Sequence, residues 1–339
     1  MDLRQLKALL AVADQGSFTG AADALNTVQS NVSAHVARLE REVGAVLVDR
    51  ATGQLTEEGA AVAARARRVG VELEALVGDL AALRDEVAGT VRIGMVGTTA
   101  RWLAPRLLEV AASRHPKLYL IVVDGISSAL EPQLATGQLD LAVVNPPAPG
   151  ADLSFTPLFD EDLVLVVRSS DPLSQRGPLE LAELAGLDLL LPLPGTAFRD
   201  ELDAAVRPKG IRLKPRAELD GVRLIASLTF DGYGPAVLPA TAVPEYLRGE
   251  WRLVQVRGVP RRRIGVAQRS RGLPSAPARA LLSILHDVVT DPETTPDELH
   301  VVPEPPGPDA EGPGALGGIG EHGAPDTPAL RIPAPRGDG

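Results

Sequence analysis

Between Val62 and Val87, eight apolar residues (Val62, Ala66, Val69, Leu73, Leu76, Leu80, Leu83 and Val87) recur at alternating intervals of four and three. That rhythm is a heptad seam, narrower than the apolar stripe with which an ordinary globular helix faces its own core. Charges such as Arg65, Arg68, Glu72, Asp79 and Arg84 flank it. The pattern predicts one long helix over residues 57–88 whose seam pairs with a second copy of the chain. Val62, Val69, Leu73, Leu76, Leu80, Leu83 and Val87 are the candidate dimerisation residues. A rod of this kind divides the chain into a small segment before it and a much larger one after it.

The segment before the rod reads as short helices. Leu3, Leu6, Leu9, Leu10 and Ala13 share one helical face, and Gly16 ends that helix. Ser17 or Thr19 can cap a second helix carrying Ala21, Ala22 and Leu25. After an Asn26-Thr27 turn, a third helix runs from about Val28 to Glu42, with Val32, Val36 and Leu39 inward and Gly44 as its stop. Residues 46–56 read as a short hairpin. Two helices joined by a tight turn suggest a helix-turn-helix, whose second helix enters the DNA major groove. With Val28 and Val32 assigned to packing, Gln29, Ser30, Asn31 and Ser33 are left facing outward. Gln and Asn can read adenine with two hydrogen bonds, and Ser hydroxyls can hold a phosphate or a base edge. A solvated polar helix face would look the same on this pattern alone.

After Ala88-Gly89 the texture changes. Val91–Val96, Leu118–Asp124 and Leu139–Asn145 read as continuous apolar strands separated by helices over Trp102–Arg114 and Ala129–Gly137. Such strands imply a parallel sheet buried on both faces. The pattern resumes after Pro157 with further strands and ends in a helix over Ala278–Thr290, so two α/β lobes fit better than one sheet. From Asp291 to Gly339 there are 11 Pro and 9 Gly, with 10 acidic residues against 2 Arg. That composition predicts a disordered acidic tail. It also carries a net of −8 out of the whole-chain −10, so overall acidity says little about the rest.

Composition removes several classes of function. Zero cysteines exclude thiolate metal sites, disulfides and a cysteine nucleophile. The five His are scattered, and no catalytic or phosphate-loop motif is present, so neither catalytic residues nor metal ligands are assigned. The first residues lack a basic, apolar leader, and no apolar run reaches the ~18 residues needed to span a bilayer. A cytoplasmic protein without membrane partners is expected.

The residues then narrow the reading. Asp2-Leu3-Arg4-Gln5-Leu6, Gly16-Ser17-Phe18-Thr19, Ala21-Ala22-Asp23-Ala24-Leu25, Val28-Gln29-Ser30-Asn31-Val32-Ser33, Arg38-Leu39-Glu40, Glu42-Val43-Gly44, Leu47, Asp49-Arg50 and Leu55–Gly59 together resemble the winged helix-turn-helix of LysR-type transcriptional regulators. Further on, Val91–Gly94, Leu139–Val144 and Pro157–Val166 resemble landmarks of that family's effector domain, and the likeness covers residues 1–290. The resemblance implies a winged helix-turn-helix over 1–59, a dimerising linker helix over 60–88, and a periplasmic-binding-protein-like effector domain. Its first lobe would hold 89–161 and 265–290, its second lobe 162–264, with the tail at 291–339.

Such a protein would be a homodimer or homotetramer on double-stranded promoter DNA, working with RNA polymerase as an activator of neighbouring genes and able to repress its own. It would need no cofactor beyond a small-molecule co-inducer held between the lobes. The resemblance places Gln29, Ser30 and Ser33 toward the major groove and Arg50 at the start of the wing; Asn31, Thr19 and Arg38 complete the candidate DNA contacts. In the cleft it implicates Thr98, Thr99, Ser127, Thr196 and Arg199, to which their neighbours Ser128, Asn145 and Phe198 are added. Helix N-termini in such a cleft favour an anion such as a carboxylate. Each Ser or Thr could equally be a helix cap, and Arg199 could simply pair with Asp203.

Three departures from the family pattern bear on affinity. Ala34 stands where a basic residue is common, the wing Ala51–Gln54 lacks a second Arg, and residues 1–60 carry 5 bases against 8 acids. Phosphate contacts supply much of the affinity for DNA, so modest and salt-sensitive binding by a single dimer is expected. The rival reading is a cytoplasmic ligand sensor that no longer recognises an operator.

Overall fold

The computed structural model describes residues 1–84, 86–147 and 152–303. The chain opens with α1 (Leu3–Gln15), α2 (Phe18–Ala24) and α3 (Gln29–Val43). Asp2 starts α1 with a reciprocal capping box to Gln5, and Ser17 caps α2. Gly16 and Gly44 end α1 and α3 in the left-handed conformation, at φ 64° and 74°. Leu6, Leu9, Val12, Val32, Val36, Leu39 and Leu47 close one small core. The wing is narrow: a single antiparallel bridge joins Val48 to Leu55. Leu3 and Val28, both read as packing residues, are 45% and 60% exposed, because Val28 is the N-cap of α3 and not part of its buried face.

The rod is α4 (Glu57–Ala82). It ends six residues earlier than the heptad rhythm implies. Leu83 is its C-cap, and Val87 lies in the connection to β1 (Ala88–Val96). Gly89 sits inside that strand, not at a break. Gly59 is required at the start of α4: a Cβ there would lie 1.9 Å from the Leu47 carbonyl oxygen. The linker helix is thereby packed directly on the wing strand.

The remainder forms two lobes. Lobe 1 contains β1, α5 (Gly97–Arg114), β2 (Lys117–Gly125), α6 (Ser127–Thr136), β3 (Leu141–Val144) and β4 (Leu153–Glu161). The chain then enters lobe 2 through β5 (Leu163–Arg168), β6 (Leu179–Glu180), β7 (Asp188–Pro192), α7 (Ala197–Val206), β8 (Lys214–Leu219), α8 (Val222–Phe230), β9 (Ala236–Pro239) and β10 (Trp251–Arg257). It returns to lobe 1 with β11 (Arg262–Arg269), α9 (Ala276–Thr290) and β12 (Leu299–Val301). The lobe 1 sheet has the order β12-β4-β11-β3-β1-β2. Lobe 2 holds the sheets β6-β10-β5-β9 and β7-β8.

Several sequence expectations are corrected here. The lobe 1 sheet is mixed: β1 runs parallel to β2 and β3, whereas β11 is antiparallel to β3 and β4. The apolar strand β2 is an edge, with Tyr119 65% exposed, and so is not buried on both faces. The return to lobe 1 occurs at Arg262 and not at residue 265. The expected tail begins too early. Residues 291–303 are built onto the domain, and β12 adds an antiparallel strand to β4. The rest of that tail, 304–339, lies outside the described residues.

The largest apolar cluster includes Leu103, Leu107, Leu281 and Leu285 of lobe 1 and continues without interruption to Val164, Leu238 and Trp251 of lobe 2. A second cluster around Leu165, Leu189, Leu202 and Val254 belongs to lobe 2. No helix among the described residues is long and apolar enough to cross a membrane.

Candidate DNA-reading face and ligand cleft

Helix α3 begins without a side-chain cap. Gln29, Ser30 and Asn31 are exposed in its first turn, and Ser33 is half-buried. Asn31 Nδ2 donates to Thr27 Oγ1 at 3.0 Å, which turns it back toward the preceding turn. Gln29 and Ser30 remain turned to solvent, as do Thr19 on α2 and Arg38 further along α3.

Arg50 is held firmly. Its guanidinium donates to Ser33 Oγ at 3.1 Å and to Glu40 Oε2 at 2.7 Å, and lies 4.7 Å over the Phe18 ring. Glu40 is the hub of this arrangement, because it also accepts the Leu47 and Val48 amides at 2.9 and 3.2 Å. Burial pushes its carboxyl up, but the Leu47 amide, the Arg50 side chain and the Val48 amide outweigh that, and the net shift is downward. One carboxylate thus joins recognition helix, wing strand and wing arginine. The polar pattern gave no sign of it, since a Glu on an amphipathic helix reads as surface.

Along α4 the seam divides. Ala63 and Ala66 are buried in the core of the N-terminal domain, and Val62 packs against them. Val62, read as a dimerisation residue, therefore serves its own domain. Val69, Leu73, Leu76, Leu80 and Leu83 are exposed, joined by Val77 at 66%. Val87 is half-buried.

Between the lobes, the expected ligand residues separate into three groups. Thr98 and Thr99, in the first turn of α5, are buried. Thr98 Oγ1 accepts from Arg262 Nη2 at 3.0 Å, whereas Thr99 Oγ1 has no partner. Ser127 Oγ accepts the Asn145 amide at 3.2 Å, so these two meet, with Ser128 exposed beside them. In lobe 2, Thr196 caps α7, and Arg199 is committed to its own lobe through Asp203 (3.1 Å), Glu218 (2.9 Å) and the Pro192 carbonyl (2.8 Å). Phe198, expected to face a ligand, is packed in the lobe 2 core.

Where the lobes face each other they also touch. Asp124 at the end of β2 pairs with Arg223 in the first turn of α8, and Arg101 Nη2 donates to Tyr246 Oη at 3.0 Å. A Cβ at Gly97 would crowd the Asp124–Arg223 pair, lying 2.9 Å from the Asp124 carboxylate.

The two chain crossings between lobes carry a feature that sequence reading missed. Asp160-Glu161-Asp162 faces Arg261-Arg262-Arg263 in antiparallel order. Glu161 and Arg262 form the central rung and are 0% and 8% exposed. Glu161 also accepts the Thr241 amide at 2.7 Å. Asp160 is gripped by Arg263 at 2.8 and 2.9 Å, which holds its carboxyl below the usual range. Glu201, half-buried on α7, is pushed up by burial, against the pull of Arg262. Two complementary runs of three charges about a hundred residues apart were the available signal.

Comparison with known proteins agrees with this architecture. Residues 3–60 match "Bacterial regulatory helix-turn-helix protein, lysR family", and residues 84–290 match "LysR substrate binding domain". A probable hydrogen peroxide-inducible genes activator of Mycobacterium leprae is 32% identical over 84% of this chain and 93% of its own length. A full-length cysteine-to-aspartate variant of OxyR from Pseudomonas aeruginosa superposes with a TM-score of 0.68 at 25% identity, covering 85% of this chain and 94% of that one. CbnR in complex with its target DNA shares the fold, with a TM-score of 0.59 at 24% identity over 84% of this chain and 97% of that one. With an N-terminal DNA-binding domain, a linker helix and a two-lobed effector-binding domain, the chain is a DNA-binding transcriptional regulator of the LysR family.

Proposed function

We propose that this regulator acts as a homo-oligomer assembled through α4, reads promoter DNA with the first turn of α3, and changes its hold on that DNA when a small molecule settles between its lobes. The observation that carries the dimer is the exposed apolar row Val69, Leu73, Leu76 and Leu80, which leaves a 12-residue stretch of helix without cover on that side. Gln29 and Ser30 are the base-reading candidates, Arg50 and Arg38 the phosphate-facing ones, and Thr19 and Ser33 supporting contacts. Thr98, Thr99, Ser127, Ser128, Asn145 and Thr196 are the cleft candidates. Arg199 and Phe198 act from behind them.

The peroxide response named for the relatives does not carry over by thiol chemistry, because this chain contains no cysteine. We read its trigger as reversible binding of a ligand and not as oxidation, with no resident cofactor and no catalysis. Activation through RNA polymerase belongs to the same reading. The experiment is a footprint and gel shift on DNA upstream of the gene, with a salt series and a Gln29→Ala control, followed by thermal-shift screening of amino acids and organic acids. A protected interrupted palindrome weakened by Gln29→Ala is expected. Smearing without a preferred site, indifferent to Gln29, would favour the second reading, a sensor without an operator. The 5 bases against 8 acids in residues 1–60 lend that second reading its support.

A further inference from the structure

The segment after α9 does something the domain resemblance does not require. It returns to the two crossings between the lobes and bonds to both sides. On the lobe 1 side, β12 pairs with the last residues of β4, with Leu299 opposite Glu161 and His300 opposite Asp160, and the Val302 amide donates to the Leu158 carbonyl at 2.9 Å. At the crossing itself, the Asp162 amide donates to the Glu298 carbonyl at 2.9 Å. The Asp162 carboxylate takes Arg261 Nε at 2.7 Å and lies 3.1 Å from His300 Nε2. On the lobe 2 side, both oxygens of the Glu298 carboxylate accept from Arg248, at 3.3 and 3.1 Å, and both side chains are largely buried, at 24% and 17% exposure. The Ala240 amide of lobe 2 donates to the Asp162 carbonyl at 3.1 Å, which completes the connection.

A two-lobed domain joined by two crossings closes by small backbone rotations at those crossings. At the first crossing, Asp162 is the single residue between β4 and β5, and every polar group it owns is bonded: its amide and carboxylate face the strap and the neighbouring crossing, and its carbonyl faces lobe 2. The Glu298–Arg248 fork adds charge-assisted bonds of fixed geometry between the strap and lobe 2. We propose that residues 297–302 are a hinge strap, and that the resistance of the lobes to relative movement is set by this segment through Glu298–Arg248 and Asp162. The regulatory meaning rests on the proposed role of lobe movement in carrying the ligand signal. The strap itself stands on geometry alone.

The test is hydrogen exchange by mass spectrometry on the full-length protein without DNA or ligand. It compares the parent with Glu298→Gln and Arg248→Met, using Arg257→Gln as a control because its pair with Glu180 is exposed on both sides. Expected are amides in 159–163, 239–242 and 298–302 that exchange about tenfold faster in both strap variants, with β1 and α3 unchanged and the control silent. Rates equal to the parent in both variants would overturn the proposal, since β12 would then be an ordinary edge strand. So would an equal acceleration of β1, which would make the fork a general stabiliser. Because nothing is added to the protein, failure here is separable from failure of the regulator reading, which the footprint decides.

Discussion

The first turn of α3 and the crossings between the lobes are both rich in polar side chains, and they are used in opposite ways. On α3, Gln29 and Ser30 keep their hydrogen-bonding groups in water. At the crossings, six charged residues pair rung by rung, and the central rung, Glu161–Arg262, is buried. Polar groups left in water are available to a partner at little cost to the fold. Polar groups withdrawn from water must be satisfied by the fold itself. The first pattern leaves a face free to meet a partner, the second ties the two crossings between the lobes together.

Substitutions can break this contrast at graded strength. The largest effect belongs to the buried rung. Glu161→Ala leaves Arg262 uncompensated and the Thr241 amide unpaired, and should destabilise the chain by about 3–5 kcal/mol, read as a denaturant midpoint shift. Parent-like stability would mean that the rung is solvated. Next, Leu76→Glu and Leu80→Glu place charges on the exposed row of α4. Sedimentation should show dissociation to monomer with the fold intact by circular dichroism; an unchanged dimer would move the interface elsewhere.

Gln29→Ala comes third, with about 1–3 kcal/mol lost in operator affinity and no change in melting temperature or in the slope of affinity against salt. A lower melting temperature would reclassify Gln29 as structural. The wing should respond to acid. The Glu40 carboxyl is depressed in the folded chain, so its contribution is complete above its unfolded value of 4.5 and is lost as pH falls through the lower folded value. Near pH 4 the parent should lose wing stability relative to neutral pH, whereas Glu40→Gln should lose much less. The smallest effect is expected for Arg263→Gln, an outer rung at 50% and 24% exposure, whose denaturant midpoint should stay close to the parent's.

What the sequence disclosed follows from the range of the interactions involved. Helix stops at Gly16 and Gly44 are local, so they could be read directly, and the cap of α2 could be narrowed to Ser17 or Thr19, of which Ser17 serves. The exposed half of the heptad seam was legible for the same reason, because its period is written along one helix. The end of α4 was not, since apolar spacing at Leu83 and Val87 persists after the backbone has left the helix for β1. The packing of Phe198 and the burial of Glu161 were not legible because their partners lie on other elements, whereas the Arg199–Asp203 pair, four residues apart, could be read beforehand as an alternative. Strand β12 was hidden by its composition: three residues among prolines and acids gain their order from β4, not from themselves.

The order of strands in lobe 1 bears on how the chain is made. Lobe 2 is one continuous stretch of chain, from β5 to β10. The lobe 1 sheet needs β11 between β3 and β4, and Arg262 is 101 residues beyond Glu161. During synthesis, β4 must therefore wait with an unpaired edge and the Glu161 carboxylate without its arginine, while the whole of lobe 2 is translated, at roughly 5–20 residues per second. The last strand to arrive, β12, covers the outer edge of β4. Nascent chains stalled between β10 and β11 should therefore be the species most dependent on chaperones, and release from that dependence should coincide with emergence of Arg262.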